Sequence, residues 1–146
     1  MINDFGGNKI KKLENGLENC DYLSLHIPLT EKTKKMINYK KIKSMKKNAI
    51  IINTSRGGVI NEIDLDIALK NNIIFGAGLD VFEKEPIDKK NPLINNEKVL
   101  LSPHSATFTN ECKSRMAIET TKNIIDFFEN TLDKSETRSL RREIRV

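Results

Sequence analysis

Asn48 to Gly58 reads NAIIINTSRGG. The unbroken apolar run Ala49–Ile52, rich in β-branched residues and bounded by asparagines, predicts a strand over Asn48–Thr54 that is buried on both faces, the pattern of a parallel sheet. Gly57 and Gly58 then let the backbone turn closely, with Arg56 just before them. Working outward, three more strands follow: DYLSLHI (Asp21–Ile27, ended by Pro28), IIFGAGLD (Ile73–Asp80) and KVLLS (Lys98–Ser102, ended by Pro103). Helical stretches separate them. Thr30 to Lys47 predicts two short helices around Asn38. Asn61 reads as an N-cap with Asp64 in the first turn, and Leu65, Ala68 and Leu69 form an apolar face before Asn71 and Asn72. The longest helix spans Thr109–Glu129, with Ala117, Ile124, Ile125 and Phe128 near helical spacing. A shorter one at Lys11–Leu17 is interrupted by Gly16. Alternating strands and helices predict an α/β fold, a parallel sheet covered on both faces.

The chain has 146 residues, enough for one domain and too few for a large two-domain enzyme. With 38% hydrophobic and 31% charged residues, collagen-like, mucin-like and disordered readings are excluded. No apolar run approaches the ~18 residues of a bilayer span, and MINDFGGNK lacks the apolar region of a signal peptide, so a cytoplasmic protein with no membrane partner is expected. Cys20 and Cys112 form no CxxC pair, and neither a disulfide framework nor a metal site is expected. The net charge of +5 comes from eight lysines within residues 32–47 and five basic residues within 134–146. No aromatic or glycine-rich nucleic-acid module accompanies them, and they read as surface lysines and a basic tail.

Polar and glycine residues gather after the strand ends, the rim where open α/β sheets bind ligands. Arg56 there offers a planar fork for a carboxylate or phosphate, or a local ion pair. His104, between Pro103 and Ser105, is either a proton donor or a structural loop histidine. Glu85, before Pro86, is either a turn carboxylate or the partner of that histidine. Asp80 is either a turn cap or a ligand for a polar group, and His26 has the same two readings. No GxGxxG occurs anywhere in the chain.

Four stretches in order, SLHIPLTEKTKKMIN (Ser24–Asn38), NTSRGGVIN (Asn53–Asn61), GAGLDVFEKEP (Gly76–Pro86) and LSPHSA (Leu101–Ala106), resemble the signatures of the D-isomer-specific 2-hydroxyacid dehydrogenases. Their spacing fits as well, with 29 positions from Arg56 to Glu85 and 19 from Glu85 to His104. The resemblance runs from Asp21 to about Phe128, and SPHSATFTNECKSRMAIET is nearest the phosphoglycerate dehydrogenase and hydroxypyruvate or glyoxylate reductase branch. It implies a partial Rossmann-like, doubly wound parallel sheet without the first βα unit that bears GxGxxG. Residues 21–130 would be the second part of a nucleotide-binding domain, preceded by a poorly matched segment 1–20 and followed by an unmatched basic tail, 131–146.

The resemblance further implies hydride transfer between a nicotinamide and a small 2-oxo or 2-hydroxy acid. His104 would be the general acid and base, Glu85 would orient it and favour its protonated form, and Arg56 would grip the substrate carboxylate. Asp80 would meet the nicotinamide carboxamide, with His26, Thr54, Ser55, Ser105 and Ala106 lining the cofactor cleft. NAD is the expected cofactor, with NADP distinguished from it by residues upstream of the matched region. Two functional readings remain open: part of a dehydrogenase, active with a complementing N-terminal chain and in a homodimer, or a non-catalytic remnant or interaction module. On either reading the chain alone is expected to show no turnover, because catalysis needs a positioned cofactor.

Overall fold

A computed structural model describes residues 6–129 of the chain. They fall into two compact units, the first ending at Ala106 and the second beginning at Thr107. In the first unit, four strands, β1 (Tyr22–Leu25), β2 (Ile50–Asn53), β3 (Gly76–Leu79) and β4 (Val99–Leu101), form one sheet in the order β1-β2-β3-β4. Every neighbouring pair is parallel, with Leu23, Ile51, Ala77 and Val99 in one row across the sheet. The connections carry helices α1 (Leu13–Asn19), α2 (Tyr39–Lys43) and α3 (Glu62–Lys70), and a 3-10 turn at Pro92–Asn95.

All four expected strands exist, each shorter than the span predicted for it. Asn38 caps α2 by accepting the Lys41 N–H at 3.2 Å, and Asn61 caps α3 by accepting the Asp64 N–H at 3.3 Å. A capping side chain satisfies one of the orphan amides of a first turn, which is why each helix starts one residue later. Helix α3 ends where Asn72 turns left-handed, φ 55°. The segment before α2 is a turn rather than a second helix, because Lys35 adopts φ 49° and gives its N–H to Gly58 O at 2.7 Å. Gly16 lies inside α1 and does not interrupt it.

The covering of the sheet also differs from expectation. The alternate rows of the sheet are not equally covered: Leu25, Ile51, Ala77 and Leu79 share a core with Leu17, Ile42, Leu65 and Leu69 from α1, α2 and α3. The opposite row is open, with Tyr22 68% and Leu100 79% exposed and Ile50 and Ile52 half-buried. The continuous Ile run of β2 is therefore buried fully on one side only, since the described helices of this unit all pack on the Ile51 side. At β3 the open side presents Gly76 and Gly78, leaving a broad cavity of about 780 Å³ along the sheet between Tyr22, Ile52, Phe75 and Leu100.

The second unit contains α4 (Asn110–Phe128). Thr109 caps it, its hydroxyl oxygen accepting the Cys112 N–H at 3.1 Å, and no residue along the helix is buried. Residues 130–146, which include the basic tail, lie outside the described residues, as do residues 1–5. Among the described residues no helix is long and apolar enough to cross a membrane.

Candidate active site

The four strands end on one rim, and the loops there are joined by hydrogen bonds that prolong the sheet. Asp80 N–H donates to Asn53 O at 3.0 Å, and Ser102 N–H donates to Leu79 O at 2.9 Å. The loop after β2 is shaped from within by Asn53, which is 2% exposed. Its side-chain oxygen accepts the Ser55 N–H at 3.1 Å and the Ser55 hydroxyl at 2.9 Å, while its amide donates to Arg56 O at 2.9 Å. These bonds use the short amide in the way that favours Asn at turns. The exposed Arg56 side chain holds its own loop through Nη1 to Ser55 O at 2.8 Å. Sequence reasoning passed over Asn53, although an amide ending an otherwise apolar buried strand was the available signal.

Gly57 is required by close approach. A Cβ there would lie 1.7 Å from Phe82 O and 2.1 Å from Phe82 C, so the Arg56 loop presses directly on the backbone that leads to Glu85. In that second loop Phe82 N–H donates to Glu85 Oε1 at 3.0 Å, and Glu85 Oε2 meets His104 Nδ1 at 2.7 Å. The His104 side chain is 51% exposed, and with Nδ1 engaged its Nε2 has no hydrogen-bond partner among the described residues. Hydrogen bonding from His104, then from the Phe82 amide, holds the Glu85 carboxyl below the usual range and keeps it ionised.

His104 has φ 52°, a left-handed conformation uncommon for a non-glycine residue. Asp80 explains how it persists. Asp80 Oδ1 accepts the Ser102 hydroxyl at 2.6 Å and the Ser105 N–H at 2.8 Å, and Oδ2 accepts the Ala106 N–H at 2.9 Å. The carboxylate thus grips the loop on both sides of His104. Burial raises the Asp80 pKa, but the three hydrogen bonds together outweigh it and the net direction is down. Of its two sequence readings, the turn-holding one is the one visible in the geometry.

The remaining expected residues lie on the same rim in two groups. His26, Ser55 and Arg56 share an open cavity of about 320 Å³ with Ile27 and Pro28, and Thr54 is exposed beside it. The His26 ring is 2.7 Å from the Ser24 hydroxyl through Nε2. Ser105 and Ala106 face Asp80 through their amides. The structure joins Glu85 directly to His104, and joins Arg56 to that pair only through Gly57 and Phe82. The chemistry on offer is a cationic fork, an imidazole held by an ionised carboxylate, and a cavity lined by Ile27 and Pro28 beside polar groups. Among the described residues no cluster of His, Cys, Asp and Glu is arranged to hold a metal ion.

A family model for the NAD-binding domain of the D-isomer-specific 2-hydroxyacid dehydrogenases matches residues 3–106. The chain belongs to this family. Glyoxylate reductase of Korarchaeum cryptofilum is 50% identical over 115 residues, covering 79% of this chain and 35% of that protein. Among solved structures, the NADPH-dependent glyoxylate/hydroxypyruvate reductase of Sinorhizobium meliloti, in complex with NADP and malonate, is 32% identical with a TM-score of 0.75, covering 84% of this chain and 38% of the other. D-lactate dehydrogenase of Lactobacillus jensenii with NAD+ is 29% identical, also at 0.75, over 84% of this chain and 41% of its own. The chain spans about a third of the length of the curated relatives it matches. The sheet is that of the Rossmann-like dehydrogenases, and the glyoxylate reductase branch suggested by the sequence motifs is represented among its relatives.

Proposed function

We propose that this chain provides the proton-transfer and carboxylate-binding portion of a nicotinamide-dependent 2-hydroxyacid dehydrogenase acting on a small 2-oxo acid such as glyoxylate or hydroxypyruvate. The observation that carries this reading is the Glu85–His104 pair, 2.7 Å apart, with His104 Nε2 without a hydrogen-bond partner, on the rim that also bears Arg56. In the reduction, His104 Nε2 gives its proton to the carbonyl oxygen, and Glu85 stabilises the cationic imidazole beforehand. Arg56 binds the substrate carboxylate and draws electron density from the adjacent oxo group. NAD or NADP, when bound, supplies the hydride that reaches the carbonyl carbon. His26, Thr54 and Ser55 would hold the nicotinamide end, with the remaining lone pair of Asp80 and the Ser105–Ala106 backbone beside it.

Residues 21–130 are assigned to the later part of the nucleotide-binding domain. No GxGxxG exists in the 146 residues, so the pyrophosphate site must come from a segment outside them, in the same chain or a complementing one. Strand β1 ends the sheet order with one free edge, and the open apolar face lies beside it. An unpaired edge next to an uncovered parallel face is the surface such a segment would complete. A cytoplasmic location and a homodimer belong to the same reading.

The test is reconstitution. The 146-residue chain is mixed with a separately produced segment containing the glycine loop and the substrate domain, and oxidation of NADH or NADPH is followed with glyoxylate and hydroxypyruvate. The chain alone should give no turnover, and the mixture should give turnover that Arg56→Ala or His104→Ala abolishes. Turnover that survives both substitutions would refute the assignment.

A further inference from the structure

Glu62, in the first turn of α3, is a carboxylate that the proposed chemistry leaves unused. It is only 7% exposed, although a first-turn acid serving the helix dipole could remain in water. Its Oε1 accepts the Glu83 N–H at 2.5 Å, and its Oε2 accepts the Asn91 side-chain amide at 2.6 Å. In return its own N–H donates to Glu83 Oε1 at 3.1 Å, and Glu83 Oε2 pairs with Lys35 at 3.3 Å. Glu83 and Lys35 are thus the charged groups that face it, and Asn91 is the neutral one. One carboxylate holds the chain just before Glu85 and again at Asn91 beyond it. The amide adjoining Glu83, that of Phe82, is the one that fixes Glu85 Oε1, while Glu85 Oε2 holds His104.

We propose that Glu62 is a positioning residue for the Glu85–His104 pair, acting through the backbone of the Phe82–Glu85 loop. The proposal rests on the reading of that pair given above. Its physical basis is that a buried carboxylate with both oxygens satisfied fixes its donors in place, whereas an amide offers one acceptor and sets its own donor against the other. Substituting Glu62 with Gln keeps the shape of the side chain and breaks that match.

The readout is the Phe82 amide proton, whose NMR shift reports its bond to Glu85, followed at neutral pH on the full chain without cofactor or substrate. Glu62→Gln should move that proton upfield, as the loop slackens and the bond to Glu85 lengthens. Asn91→Ala, which removes one of the two anchors, should give a smaller move in the same direction. Leu65→Ala, in the same helix and fully buried, should lower stability and leave the Phe82 proton in place. An unmoved Phe82 proton in both Glu62→Gln and Asn91→Ala would overturn the proposal, and if Glu62→Gln does not fold, an unmoved proton in Asn91→Ala overturns it. The Glu85 carboxyl titration separates the two readings: if His104→Gln leaves it unmoved, the proton-transfer pair itself is wrong.

Discussion

Replacing Gly57 by Ala tests how tightly the two loops of the site are joined. A methyl group built there lies 1.7 Å from Phe82 O, 2.1 Å from Phe82 C and 2.8 Å from Phe82 N. Ordinary contact begins near 3.4 Å, so the Phe82 carbonyl must retreat by about 1.7 Å, and backbone has no flexible end to give. A shift of that size exceeds what the 3.0 Å bond from Phe82 N–H to Glu85 tolerates. The expected cost is roughly 2 to 4 kcal/mol, combining overpacking with a lost charge-assisted hydrogen bond. For a unit of this size that corresponds to a Tm lowered by about 10 °C or more. Gly78→Ala is the internal control. Gly78 lies in β3 with nothing within 4 Å of its built Cβ, so the same added methyl should be neutral or stabilising by up to ~1 kcal/mol. Urea and thermal unfolding of both variants measure the difference directly. If Gly57→Ala unfolds within about 0.5 kcal/mol of the wild type, the loops are not in the contact described, and the argument that links Arg56 to Glu85 through them fails.

Three further outcomes are expected. Asn53→Ala should cost about 1 to 3 kcal/mol in urea unfolding, because it strands the Ser55 amide and Arg56 carbonyl that the buried side chain satisfies. It should also weaken carboxylate binding in the reconstituted enzyme. Acid should act in two directions. Asp80 and Glu85 have lowered pKa values, so their stabilisation is present above the ordinary values of 3.8 and 4.5 and is lost as pH falls through the lower folded values. Burial raises the Glu62 pKa, so its contribution is full below the ordinary value of 4.5 and is lost as pH rises through the folded value. Above pH 4.5, urea midpoints should therefore fall in the wild type relative to Glu62→Gln, and parallel curves there would contradict this. Leu100→Lys, on the open face, should change the stability of the isolated chain by less than about 0.5 kcal/mol and abolish reconstitution, since the residue is 79% exposed and lies on the face that the proposed segment would cover.

Strands and caps were legible because they depend on local patterns. The Ile run of β2, Pro28 and Pro103 after strands, and the asparagine cap at 61 each carry their own physical signature, whereas Asn38 reads as a break between two helices. Which side of β2 is covered was not legible, because periodicity reports how apolar a strand is, and the helices that bury it are set by packing at long range. In the site, the residues themselves gave the shared rim and suitable chemistry, and the family resemblance supplied the pairing of Glu85 with His104. The supports did not show. Asn53 and Glu62 are ordinary turn and first-turn residues by type; Asn53 acts within its own loop, on Ser55 and Arg56, and Glu62 through contacts 21 or more positions away. The left-handed turn at His104 is likewise a product of Asp80, 24 positions earlier, and has no local glycine to announce it.

The ladder bonds that continue past the strand ends make the rim uneven in its tolerance of length changes. Asp80 holds Ser102, Ser105 and Ala106, Asn53 O holds Asp80, and Glu62 holds Glu83, so the stretches Asp80–Glu85 and Ser102–Ala106 each have one workable contour length. A residue inserted within Asp80–Glu85 or Ser102–Ala106 would throw every later anchor out of reach. The exposed turn at Asp88–Lys90 bears on the site only through its two ends, and extra residues can loop outward there without pulling on His104. Lineages descended from such a chain would therefore be expected to differ in size at that turn while keeping the same number of residues from Asp80 to Glu85.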